Sequence, residues 1–244
     1  MNPSATDPAI MSPIPEKLQA VRGAIARVAA ACGRDSAQVR LLAVSKTFGA
    51  QEVLHAVQAG QVSFGENYLQ EAIDKMAEMH ILAPNSMLEW HFIGPIQSNK
   101  TRPIAEHFAW VHTVERVKIA QRLSEQRPAD LPDLNICLQV NISGEASKSG
   151  VAPDQLLELA QAVQALPRLK LRGLMAIPEP CDDPARQRQP FAQVRALRDM
   201  LAQHGIVLDT LSMGMSADMS AAIAEGATMV RVGSAIFGAR DYSR

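Results

Sequence analysis

The sequence is short of several features that mark common protein classes. Aromatic residues make up 4% of the 244 residues, although 47% are hydrophobic. The core must therefore be built from aliphatic side chains, which suits parallel strands covered by helices. Cysteine is scarce: Cys32, Cys137 and Cys181 form an odd set with no Cys-x-x-Cys pair. A disulfide framework and a zinc site are both unsupported, and a reducing, cytoplasmic setting is the expectation. Neither charge dominates, with 24 Lys and Arg against 25 Asp and Glu. Without a basic stripe, nucleic acid and anionic membranes are not expected partners. No apolar run nears the roughly 18 residues of a membrane span. Residues 1–15 contain no Lys or Arg and four prolines. They read as a mobile tail over 1–14 rather than as a signal peptide.

What the chain does contain is an alternation. An amphipathic helix from about 15 to 32 carries Leu18, Val21, Ile25 and Val28 on one face. After it, strand-like apolar runs fall near 40–46, 62–64, 89–94, 110–114, 135–142, 169–177, 210–213 and 228–232. Helical stretches separate them at about 50–59, 67–79, 98–107, 115–126, 153–165, 184–204 and 217–225. Eight alternating units imply parallel strands with right-handed crossovers. In this length they predict one (β/α)8 barrel over 15–244, behind a leading helix. An open doubly wound sheet is the alternative, but no GxGxxG follows the first strand. The Pro- and Arg-rich segment 178–190 reads as one exposed loop.

In such barrels chemistry sits where the strands end. Of seven lysines, Lys17, Lys75 and Lys118 fall on predicted helices and read as solvated charge. Lys46 follows the apolar run LLAVS, on the same side as Val44 and Leu42. Partial desolvation there disfavours the ammonium form and leaves a nucleophilic amine; a lysine that snorkels to water is the other reading. At the far end of the chain, Gly233 and Ser234 open a turn whose backbone N–H groups suit an anion. Ser216 could donate to the same anion or cap the next helix. Arg231 shares the side of Gly233, so its guanidinium needs either a carboxylate or a ligand atom. His91 and His112 lie in strands and read as core or supporting groups. An amine, an anion cup and a buried arginine suit a phosphorylated aldehyde on an aromatic ring. They equally suit an aldolase working on a sugar phosphate.

Seven stretches resemble one family: AVSKT (43–47), FGENY (64–68), WHFIGPIQSNK (90–100), VNISGEASKSG (140–150), GLMAIP (173–178), LSMGMSAD (211–218) and MVRVGSAIFGAR (229–240). Together they are similar to the pyridoxal phosphate homeostasis proteins, relatives of the alanine racemase N-terminal domain. The resemblance implies a fold-type III barrel that holds pyridoxal 5′-phosphate (PLP) as an internal aldimine on Lys46. It implies that Ser216, Gly233 and Ser234 hold the phosphate and that Arg231 faces the pyridine nitrogen. Asn67 and Met213 would line the pocket, and Lys148 would handle PLP in transit. One departure is Gly49, where the family usually has a proline nearby. Eight residues follow Ile236 in this sequence, so the β-rich second domain of the racemases is not expected. The implied function is intracellular PLP (vitamin B6) homeostasis. With no second domain expected, the chain reads as a carrier, with PLP-accepting apo-enzymes as partners, and with no heptads or large apolar stripe it reads as a monomer. A weak racemase of the alanine racemase type is the alternative.

Overall fold

The computed structural model describes residues 12–143 and 149–239. Helix α1 (Ile14–Ala31) leads; Pro15 sits in its first turn, where a missing N–H costs nothing. Eight strands come after it: β1 (Arg40–Val44), β2 (Ser63–Glu66), β3 (Glu89–Phe92), β4 (Trp110–Val114), β5 (Leu134–Gln139), β6 (Leu169–Met175), β7 (Thr210–Ser212) and β8 (Met229–Val232). All neighbouring strands are parallel, and β8 closes on β1 with Leu42 opposite Arg231. The expected barrel is therefore present.

Helices α2 (Ala50–Gln58), α3 (Leu69–Leu82), α4 (Thr101–His107), α5 (Val117–Gln126), α6 (Leu156–Gln164), α7 (Pro184–Gln203) and α8 (Met219–Ala224) are the crossovers. A last turn, α9 (Ser234–Phe237), follows β8. Alternation along each strand divides the core in two. Outward side chains such as Ala43, Phe64, Phe92 and Val111 pack against the helices. Helix α1 covers α2, α8 and α9 with Leu18, Val21 and Ile25. The barrel lumen is different: Trp110, Cys137 and Met175 form their own small buried cluster there. No described helix is long and apolar enough to cross a membrane.

The structure departs from two sequence expectations. The 178–190 segment is not all loop, because Asp183 caps α7 by accepting from the Ala185 and Arg186 N–H groups. Helix α7 then runs through Pro190. Ser216 does not cap α8; Asp218 precedes its first residue and accepts from the Met215 N–H at 2.5 Å. The expected tail falls largely on residues 1–11, and the lysine expected to handle PLP in transit is Lys148; both lie outside the described residues.

Candidate functional site

A cavity of about 290 Å³ opens at the C-terminal ends of the strands, close in scale to the roughly 300–1,000 Å³ of small-molecule pockets. Lys46, Asn67, Ser216, Arg231, Gly233 and Ser234 all line it, with Val44, Ile93, Ile177, Met215 and Ala217. Six of the seven expected residues thus meet around one space, although they are spread across the chain. Met213 does not. It is fully buried in the aliphatic core, and Met215, two residues on, faces the cavity instead. The chain turns at Gly214, which has φ +93 and no room for a Cβ beside Ala222.

Lys46 is half-buried in the turn that follows β1. The next residue, Thr47, has φ 68, a left-handed conformation that a β-branched side chain resists. Three side chains hold this turn from outside the barrel. Glu71 accepts the Thr47 N–H at 2.7 Å. Lys75 donates to the Ser45 carbonyl at 2.9 Å and to Glu66 at 2.7 Å. Ser45 donates its hydroxyl to Glu66 at 2.6 Å. Burial pushes the Glu66 carboxyl above its usual value, against the charge of Lys75 and its hydrogen bonds.

Lys75 is therefore not a solvated charge; it is 4% exposed. Its place one helical turn after Glu71 is visible in sequence, but its burial against β2 is not. Lys75→Met leaves the Glu66 carboxylate without its cation. The expected loss is about 3 kcal/mol of folding stability, read from urea midpoints. A loss below about 0.5 kcal/mol would show that this pair does not brace the turn.

On the opposite wall, the N–H groups of Ile236 and Phe237 return to the Gly233 carbonyl. The N–H groups of the first residues of α9 have no partner within that turn. A Cβ on Gly233 would press to 3.1 Å from the Val44 carbonyl oxygen, so a side chain here would crowd β1. Gly94 allows a still closer approach: a Cβ there would stand 2.2 Å from the Asn67 carbonyl oxygen. Asn67 keeps its Oδ1 buried with no hydrogen-bond partner.

Arg231 is 4% exposed. It donates to the Ser212 carbonyl, to Ser212 Oγ at 2.9 Å and to the Ala176 carbonyl at 2.9 Å. Its partners are thus carbonyls and a hydroxyl, where a direct carboxylate was one of the two expectations. Burial lowers the guanidinium to about 10, which leaves it charged at neutral pH.

The family model described as alanine racemase, N-terminal domain, matches residues 17–241. A pyridoxal phosphate homeostasis protein of Pseudomonas aeruginosa is 63% identical over 232 residues, covering 95% of this chain and 98% of that protein. This chain belongs to the pyridoxal phosphate homeostasis protein family. A member from Escherichia coli K12 is 53% identical, with 96% of this chain and all of that protein covered. The solved structure of PipY from Synechococcus elongatus with PLP bound is also similar. It is 36% identical with a TM-score of 0.80, over 92% of this chain and 100% of that one. Membership in this family accounts for the barrel and for the grouping of motif residues at one mouth.

Proposed function

We propose that this chain binds PLP in the cavity at the C-terminal mouth and serves intracellular PLP homeostasis as a carrier. The observation that carries the reading is the convergence of Lys46, Arg231 and the Gly233–Ser234 turn on that one cavity. The residues fit such a ligand. The turn and the Ser216 hydroxyl supply donors for a phosphate, and Asn67 Oδ1 is a buried acceptor awaiting a donor. Arg231 offers only N–H groups, so a pyridine nitrogen facing it would remain an acceptor. The cofactor would supply an aldehyde for the Lys46 amine and a ring that takes up electron density.

The polar residues also limit the chemistry. An unprotonated ring is a weak electron sink, so Arg231 tempers carbanion formation. Racemisation also needs a proton acceptor and a proton donor on opposite faces of one carbon. Among the described residues that line the cavity, Lys46 is the side chain able to take such a proton. Both features favour holding and releasing the ligand over turnover. The same reading makes the chain a cytoplasmic monomer that passes PLP to apo-enzymes.

The test is the visible spectrum of purified protein with added PLP, before and after borohydride, with mapping of the labelled lysine. A band near about 420 nm and label on Lys46 are expected. The absence of both would end the reading. A panel of L-amino acids followed by chiral analysis should show no robust turnover; steady racemisation of even one would replace the carrier with an enzyme.

A further inference from the structure

The lumen of this barrel holds a hydrogen-bonded chain of side chains that the binding site does not use directly. Glu89 starts β3, at the end of the barrel away from the cavity, and is bound by Arg40 from β1. His91 Nε2 lies 2.8 Å from Glu89 Oε1, and His91 Nδ1 lies 2.9 Å from His112 Nε2. His112 Nδ1 lies 2.8 Å from Ser212 Oγ, which also accepts from Arg231. Both imidazoles and Ser212 are fully buried. Trp110 stacks on His91 with ring centres 5.3 Å apart.

We propose that Glu89, His91, His112 and Ser212 form a one-way relay that fixes the direction and charge of Arg231, making them its positioning residues. The direction follows from the two ends. An arginine can only donate, and an ionised carboxylate can only accept. Glu89 therefore accepts a hydrogen bond from His91 Nε2–H, which in a neutral ring leaves His91 Nδ1 as an acceptor. His112 must then carry its proton on Nε2 and accept at Nδ1. Ser212 points its hydroxyl proton at His112 and turns a lone pair to Arg231. With both rings neutral every link is satisfied, and no member has a second arrangement that keeps all of them.

The charges agree with this direction. Burial holds both imidazoles below their usual value, and His112 further feels His91 and Arg231. Burial opposes ionisation of Glu89, but the His91 bond and the Arg40 guanidinium prevail and hold it at about 2. A single carboxylate thus terminates a neutral chain that begins at a buried cation. Were Ser212 turned around, its hydroxyl proton would face the guanidinium N–H groups. The relay prevents this and keeps Arg231 as a fixed donor towards the cavity. Only the last link, from Arg231 to a bound ring, rests on the proposed PLP site.

The test begins without ligand. In protein labelled with 15N-histidine, the nitrogen shifts of His91 and His112 should both report the neutral Nε2–H form at pH 7. Glu89→Gln can donate as well as accept, so Nδ1–H forms should appear in both rings. With PLP added, His112→Phe should bind about tenfold more weakly than wild type and shift the visible band. If His112→Phe fails to fold, Ser212→Ala removes one hydroxyl link and should give the same two changes. Either wild-type imidazole in the Nδ1–H form would overturn the relay. So would variants that bind PLP with unchanged affinity and spectrum. If wild-type protein takes up no PLP at all, the binding site and the last link fall, while the tautomers still decide the relay.

Discussion

Lys46→Ala is expected to leave the protein colourless in excess PLP and to remove the borohydride label. Lys46 lines the cavity, whereas Lys75 is engaged with Glu66 and the other described lysines line no part of it. Among the described residues, no second amine stands ready to replace it. The variant should still fold, because Lys46 sits in a turn after β1 and packs no core. The donors of Gly233, Ser234 and Ser216 remain, so weak reversible binding should persist. An affinity loss on the order of a hundredfold, about 2.7 kcal/mol, is expected from equilibrium dialysis. If the variant keeps the band and a labelled peptide, the assignment to Lys46 is wrong.

Acid should cost this barrel stability as pH falls below about 6.5. His91 and His112 are buried with their proton affinity lowered, so the folded chain holds them neutral where the unfolded chain protonates them. Their folded values lie below the unfolded value of roughly 6.5. The stability they contribute is therefore complete above that pH and is lost as pH falls towards the folded values. While a ring is neutral in the folded chain and protonated in the unfolded one, it contributes a slope approaching about 1.4 kcal/mol per pH unit. Glu89, also held low, adds its loss later, between the usual carboxylate range and about 2. Urea unfolding at pH 7, 6, 5.5 and 5 reads the first phase. A His91→Gln, His112→Gln double variant should flatten it, and an equally steep curve in that variant would place the effect elsewhere.

The barrel is legible in the sequence because its signal repeats. Eight apolar runs separated by helical periods survive errors of two or three residues at each end, and the strand expected over 110–114 matches β4 at both ends. The site is legible where residue types are costly to bury: a lysine after LLAVS, an arginine in MVRV, a glycine before a serine. Met213, placed in the pocket by the resemblance alone, misses the cavity because Ser212 points into the lumen and the next residue therefore faces the outer core with Leu211. Lys75 departs from expectation because a helical lysine is usually solvated, and nothing local announces that Glu66, nine residues earlier, is buried against it. The relay is hidden for a similar reason. The strand positions of His91 and His112 suggest supporting groups, but Ser212 lies 100 residues beyond His112 and meets it only when the sheet closes.

That closure has one more effect. Trp110, Cys137 and Met175 are at most 1% exposed and stop the lumen with carbon and sulfur. Whatever occupies the upper opening has no rear exit. Arrival and departure share a single doorway, so a departing vitamin must clear the threshold before the next can be seated. A berth of that shape is entered and left on one face, and the plug of Trp110, Cys137 and Met175 stands against a conduit running from one end of the barrel to the other.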